Sequence, residues 1–302
     1  MSIFSSKLNT IANSTNSYLK NFFSKQEKNS FLLKPMKYGI FSGGKRFRSA
    51  IVVNTGKIYG IDYKKLIIIG SAVECIHSYS LMHDDLPSMD DDELRRGKLS
   101  VHKKFNEFTA ILAGNSLLVL AFEILSGKEL NLPQSYKNQL IKTLSMCSGH
   151  SGLAGGQYSD LSFENKKILK KNIINMQKKK TGELFGFCCE SIAIIKGVSS
   201  IKRKQLKEIG INIGLLFQIV DDLIDYKGDS VVVGKPTRSD QKKGKATLVN
   251  LLGYEETIVF AKILKKKNRP KNKKIWHSSQ RFIRFSPIYI GKKILNIKRN
   301  VI

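Results

Sequence analysis

The chain has 302 residues, 41% of them hydrophobic, so it can bury a sizeable core. Its uninterrupted apolar runs fall short of the roughly eighteen residues a membrane span needs, and Cys75, Cys147, Cys188 and Cys189 show neither zinc-ligand spacing nor a disulfide framework, which fits a reducing cytoplasm. A formal net charge of +28 raises nucleic-acid binding, but the lysines are spread along the whole chain, few aromatics interleave with them, and no nucleic-acid motif is seen.

The Ser- and Asn-rich segment before Glu27 carries Lys rather than Arg and no small-residue cleavage site, so it reads as an ordinary N-terminal helix rather than a transit peptide. Phe31 to Tyr38 leads into Gly39-Ile40-Phe41-Ser42-Gly43-Gly44-Lys45-Arg46-Phe47-Arg48. This begins like a P-loop, yet Arg46 stands where Ser or Thr would hold magnesium and no buried strand precedes it. What remains is a glycine turn opening a helix, with Lys45, Arg46 and Arg48 at its start. Free backbone N–H groups beside cationic side chains make a diphosphate site that needs no metal.

Leu66 to Met82 reads as a helix that delivers Asp84 and Asp85 at its C-terminal end, where the helix itself carries negative partial charge. Six carboxylates fall between Asp84 and Glu93, a local reversal of sign whose mutual repulsion calls for a bound cation. His77 lies two turns before Asp84, placed to touch a substrate anion. Arg95 and Arg96 follow the acidic run. They can pair with those aspartates, or, since neighbouring side chains point to different sides, each clamp a different phosphate. From Thr109 to Leu125 the pattern is apolar nearly all round, with Ala113, Gly114 and Ala121 permitting close approach, and predicts a buried helix.

Gly152 to Asp160 is a small-residue segment where a helix can bend towards a ligand. In Lys178-Lys179-Lys180-Thr181-Gly182-Glu183, the Thr-Gly pair inside a helical pattern predicts an irregularity that exposes a carbonyl or hydroxyl. Leu206 to Tyr226 predicts the helix of a second aspartate cluster, in which Asp221 and Asp225 are i and i+4 and repel each other on one face without a cation between them. Two such clusters more than a hundred residues apart suggest one site closed from both sides. Oxygen-only ligands suit Mg²⁺, which completes its shell with water and substrate phosphates. The expected substrate is therefore phosphorylated or diphosphorylated. The loop after Tyr226 brings Lys235 and Lys245 within reach of a bound diphosphate. Strand-like alternation is scarce apart from Val231 to Val233, so the expected architecture is an all-α bundle, one domain over residues 1–264 with an atypical basic and aromatic tail over 265–302.

Asp84-Asp85 with four residues before Asp90, then Arg95-Arg96-Gly97, together with Gly43-Gly44-Lys45-Arg46-Phe47-Arg48, Lys180-Thr181-Gly182, Phe217-Gln218 and Asp221-Asp222-Leu223-Ile224-Asp225, closely resemble the trans-isoprenyl diphosphate synthases. The likeness runs from about Phe31 to Gly253. Pro87-Ser88 in the first motif and Tyr79, five residues before Asp84, resemble the bacterial farnesyl diphosphate synthases within that family.

The resemblance implies an isoprenoid-synthase-type helix bundle with a deep central cavity, a cytoplasmic homodimer, and head-to-tail condensation of isopentenyl diphosphate onto an allylic diphosphate. It implies that Asp84, Asp90 and Asp221 hold several Mg²⁺ ions on the allylic diphosphate, with Asp85 and Asp225 in support. By the same match Arg95, Lys180 and Lys235 bind that diphosphate, Thr181 and Gln218 turn oxygen dipoles to the carbocation, and Lys45, Arg48, His77 and Arg96 hold isopentenyl diphosphate. Tyr79 lies roughly 7.5 Å along the helix axis from Asp84. Its ring would stop a growing tail at fifteen carbons. The competing readings are a longer-chain geranylgeranyl diphosphate synthase, which Tyr79 disfavours, and a noncatalytic prenyltransferase-like subunit, expected to have lost an aspartate motif.

After Ala261 the pattern departs from the family. Lys265 to Lys274 is rich in lysine and arginine and precedes Trp276, His277 and an aromatic-rich stretch from Phe282 to Tyr289, with no helical face. One hypothesis is a frameshift in an A-rich tract encoding these lysines; an unambiguous gene sequence in the present frame would remove it.

Overall fold

The computed structural model describes residues 3–26, 30–227 and 239–267. These are helical apart from turns and one hairpin of two-residue strands, so the all-α expectation holds. Chain contacts divide into two compact units, Met1–Thr143 with Ile194–Gly197, and Leu144–Ala193 with Val198–Ile302.

The first unit is built around α4 (Tyr63–Asp84), opened by Asp62, whose side chain accepts a hydrogen bond from Lys65 N at 3.2 Å. From Leu66 to Ile76 every residue of α4 is buried, because α1 (Ile3–Ser24), α2 (Leu33–Ile40), α3 (Phe47–Ile58) and α6 (Glu107–Ser126) surround it. Small residues set the spacing: a β-carbon on Gly56 of α3 would enter the side chain of Leu66, and one on Gly114 of α6 would enter His83. A hairpin follows α4, with β1 (Leu94–Arg95) antiparallel to β2 (Lys98–Leu99). It was not foreseen from the alternation pattern. Its two-residue turn is Arg96-Gly97, both at positive φ (56° and 76°), the conformation that matches strand twist. Ser100 N donates to Glu93 O (2.8 Å) to close it, and α5 (Val101–Lys104) leads to α6.

The predicted helix over 109–125 exists as α6, capped by Asn106, which accepts from Thr109 N at 2.9 Å. It is not buried all round. Ala110, Ala113, Gly114, Leu117 and Ala121 face α4, while Phe108, Ile111, Leu112 and Val119 remain exposed in this single chain. Both α4 and α6 are long and apolar enough to cross a membrane, but the most apolar window of α4 is 78% buried by protein and that of α6 only 44%.

The second unit begins within α7 (Gln134–Ser148), which leads to α8 (Leu153–Ser162), and then one long helical path runs through α9 (Lys170–Gln177), a π-helical turn (Lys178–Gly182) and α10 (Glu183–Ile195). The irregularity predicted at Thr181-Gly182 is this π turn. It is pinned by backbone contact on two sides: a β-carbon on Gly156 of α8 would fall on the backbone of Lys179 and Lys180, and one on Gly214 would meet Gly182. Gly214 belongs to α11 (Ser200–Lys227), whose inner face packs Leu215, Ile219 and Leu223 against Ile173, Met176, Leu248 and Val249. Short helices Ser239–Lys242 and Leu248–Leu252 precede Tyr254–Lys267. Helix thus continues through Lys265–Lys267, where the sequence alone predicts none. Val231–Val233 and residues 268–302 lie outside the described residues.

Candidate active site

The acidic loop begins where α4 ends. Asp85 caps the helix, and the chain then folds back over it: Asp90 N donates to Asp84 O (2.9 Å), Asp92 N to Asp85 O (3.2 Å) and Asp91 N to Leu86 O (3.1 Å). Asp91 takes a positive φ of 49° to complete the turn. These bonds bring the backbones of Asp84 and Asp90 together at the negative end of the helix dipole, with both residues partly open to solvent.

Asp85 behaves differently. It is 2% exposed, and its Oδ1 accepts from both Nε (2.9 Å) and Nη2 of Arg95, which also reaches Asp92 at 3.0 Å. Burial pushes the Asp85 carboxyl above its ordinary range while Arg95 pulls it down. Arg95 and Arg96 do point to different sides. Arg96 crosses to the glycine turn, where Nη1 donates to Gly43 O.

That turn is a basic cradle. Gly43 and Gly44 sit at φ 113° and 104°, open to solvent, and lead into α3, which carries Arg48. Helix α2, not a strand, precedes the turn, consistent with the rejected P-loop. Half-buried His77 has its imidazole held well below the ordinary range by removal from water and then by Arg48, Arg96, Arg46 and Arg95. A neutral imidazole in the field of four guanidinium charges lies in an anion-attracting region. Arg46, grouped with Lys45 and Arg48 on sequence, is not part of its open surface. It is 3% exposed and turned inwards to Glu74 (3.7 Å), Asn16 and Ile40 O. Tyr79 is half-buried on α4, its ring edge-on to His83 with centroids 4.9 Å apart, and burial raises its hydroxyl pKa.

In the second unit a chain of amides orders the π turn. Thr181 Oγ1 donates to Gln218 Oε1 (2.9 Å), Gln218 Nε2 donates to Asp222 Oδ1 (2.9 Å), and Gln177 Nε2 donates to Asp222 Oδ2 (2.7 Å). Asp222, given no role by the sequence reading, is buried at their centre, and that burial raises its pKa well above the ordinary carboxylate range. Lys180 Nζ meets Asp160 Oδ2 at 2.7 Å. Lys245, expected to reach a diphosphate, is instead buried between Asp160 (3.1 Å) and Glu164 (2.7 Å). Its neighbour in the sequence reading, Lys235, lies outside the described residues. Asp221 is half-buried at the surface of α11, and Asp225 is buried, accepting from Asp240 N at 3.1 Å.

Among the described residues no three His, Cys, Asp or Glu side chains gather into a set able to hold a metal by themselves. Carboxylates presented in ones and twos, with no nitrogen or sulfur donor, fit Mg²⁺ carried in on a phosphorylated ligand better than a metal in an all-protein cage.

The polyprenyl synthetase family model matches residues 29–279. Farnesyl diphosphate synthase of Micrococcus luteus is 42% identical over 226 residues, covering 75% of this chain and 77% of that one. Among solved structures, an FPP/GFPP synthase from Zymomonas mobilis superposes with a TM-score of 0.75 at 37% identity, over 87% of this chain and 91% of that one. A Helicobacter pylori geranyltransferase complexed with magnesium and isoprenyl diphosphate superposes with a TM-score of 0.77 at 28% identity, over 96% and 97%. With its aspartate loop, its metal-free basic cradle and its family model match in agreement, the chain belongs to the polyprenyl synthetase family.

Proposed function

We propose that residues 1–264 form a cytoplasmic, Mg²⁺-dependent prenyltransferase that condenses isopentenyl diphosphate with dimethylallyl or geranyl diphosphate to give farnesyl diphosphate and diphosphate. The observation that carries this reading is the coexistence in the first unit of two chemistries for binding a diphosphate. One is a carboxylate loop suited to a metal-bridged diphosphate, the other a guanidinium cradle that needs no metal. A terpene cyclase, with one diphosphate to hold, has no use for the second.

In this reading Asp84 and Asp90, with Asp221 and Asp225, hold the magnesium–allylic diphosphate complex. When bound, the metal neutralises charge on the departing diphosphate as the allylic C–O bond ionises. Arg95, fixed by Asp85 and Asp92, and Lys180, aimed by Asp160, add fixed positive charge to the same group, and we assign Lys235 there as well. Asp222 orients Gln218, and Gln218 orients Thr181, so that their oxygen dipoles meet the carbocation without reorganising. Lys45, Arg48 and Arg96, with neutral His77, hold isopentenyl diphosphate while its alkene attacks. The released diphosphate takes up the final proton. Tyr79 closes the tail end.

The exposed apolar stripe of α6, Phe108, Ile111, Leu112 and Val119, supports a homodimer in which a second copy covers it. Four buried cysteines that form no disulfide suit a reducing cytoplasm.

The test is product analysis of purified protein given Mg²⁺, labelled isopentenyl diphosphate and each allylic diphosphate. Farnesyl diphosphate that disappears on chelation is expected. Longer products would keep the reaction and overturn the fifteen-carbon limit; no product from folded protein would overturn the enzyme and leave the noncatalytic reading.

A further inference from the structure

We propose that Arg46 and Glu74 are positioning residues, a buried bolt that keeps the metal-free diphosphate cradle in shape, with Asn16 of the N-terminal helix as its third member. The inference rests on the assignment of Lys45, Arg48 and Arg96 to that cradle.

The bolt joins α1, α2 and α4 and, through Glu74, the start of α3. Arg46 Nη2 donates to Ile40 O, at the end of α2 just before the turn. Its Nε donates to Asn16 Oδ1 on α1 at 2.9 Å, and its Nη1 lies 3.7 Å from Glu74 Oε2 on α4. Glu74 Oε1 in turn accepts from Ser49 N (3.1 Å), in the first turn of α3 just beyond the cradle. The Gly43-Gly44-Lys45 turn is therefore tied on its N-terminal side through Ile40 and on its C-terminal side through Ser49, by one ion pair.

Three physical points favour positioning over mere cohesion. Arg46 and Glu74 are 3% and 2% exposed, and a buried ion pair contributes little stability compared with apolar residues of the same size. Arg46 also adopts a left-handed φ of 47°, which a residue bearing a β-carbon takes at a cost, so its side-chain contacts hold the backbone in an uncommon state. Finally, the two glycines beside it give the turn little rigidity of its own, so a cradle that must meet a diphosphate within a fraction of an ångström needs its shape imposed from outside.

The experiment compares the full-length protein with Glu74→Gln and Asn16→Ala. Calorimetry in the presence of a chelator measures isopentenyl diphosphate binding, steady-state kinetics measure KM for isopentenyl and geranyl diphosphates, and a thermal melt establishes folding. Both variants should bind isopentenyl diphosphate about tenfold more weakly, through lost preorganisation, with the geranyl diphosphate KM within about twofold of wild type. If Glu74→Gln does not fold, Asn16→Ala, which leaves the ion pair in place, decides. Folded variants with wild-type isopentenyl diphosphate affinity, or with both KM values rising together, would overturn the proposal. Wild type that makes product but fails to bind isopentenyl diphosphate under chelation would remove the cradle assignment and the inference with it. Wild type that makes no product yet binds that compound in an Asn16- and Glu74-dependent way would sink the proposed reaction and leave the bolt standing.

Discussion

Gly44 lies so close beneath the guanidinium of Arg96 that a β-carbon on residue 44 would overlap it. At φ 104° the same residue also occupies backbone space that side-chain-bearing residues rarely enter. Gly44→Ala therefore meets two obstacles at once and should displace Arg96 from the turn. We expect the KM for isopentenyl diphosphate to rise by about tenfold or more, while affinity for the allylic partner changes little. Steady-state kinetics with one substrate saturating checks this, and equal changes in both would refute it.

His77 makes stability depend on pH in a defined direction. Its pKa is depressed below the ordinary 6.5. Between the depressed value and 6.5 the unfolded chain binds a proton that the native ring does not. The stability contributed by the neutral ring is thus present above pH 6.5 and is lost as pH falls through that window. His83, also depressed by burial, acts in the same direction. In His77→Gln the loss of melting temperature on going from neutral to mildly acid buffer should be smaller than in wild type, with His83 common to both. Parallel pH curves would show that the ring titrates normally.

Gly156→Ala should damage the π turn from outside, because the new methyl group would strike the backbone of Lys179 and Lys180. Displacement of Lys180 and Thr181 by even ~1 Å is expected to lower kcat by about a hundredfold. A variant that folds and retains wild-type kcat would show that the turn tolerates movement.

Tyr79→Ala removes the ring that packs against His83 beside the end of α4. Chromatography of the dephosphorylated products should show chains longer than fifteen carbons. If the variant still stops at farnesyl diphosphate, Tyr79 is not the floor.

Val119 is 65% exposed at the C-terminal end of the apolar stripe on α6. Val119→Glu would place a charge in any interface that covers the stripe, so sedimentation should report a shift from dimer to monomer. An unchanged sedimentation coefficient would mean that the stripe is not the dimer surface.

Thr181-Gly182 was legible as a break in the helix, and the π turn is that break. Asp84, Asp90, Asp221 and Asp225 were legible as like charges that repel, which is the ground for proposing a cation there. Arg46 was illegible because it neighbours Lys45 and Arg48 and shares their chemistry; only a left-handed backbone turns it inwards. A signal did exist in Glu74, an acid within an otherwise apolar helical run, which requires a buried cation somewhere. Lys245 was misread for a similar reason, since Asp160 and Glu164, eighty or so residues earlier, claim it through folding alone. The exposed side of α6 could not be told from a core face, because apolar content all round a helix does not say which side packs within the chain.

The π turn at Lys178–Gly182 has one more consequence. Such a turn accommodates a single extra residue in an otherwise regular helix. Loss of any one of the three lysines would let the path from α9 to α10 relax into uninterrupted α-helix. A π turn sweeps roughly the same angle as an α-turn with one residue fewer, so the helices on either side would keep their faces. The change would be local, closing the wide turn that sets Thr181 against Gln218, although neither residue had been altered. Lys178 and Lys179 should accept substitution far more readily than a one-codon deletion, whereas Lys180 also carries the charge held by Asp160.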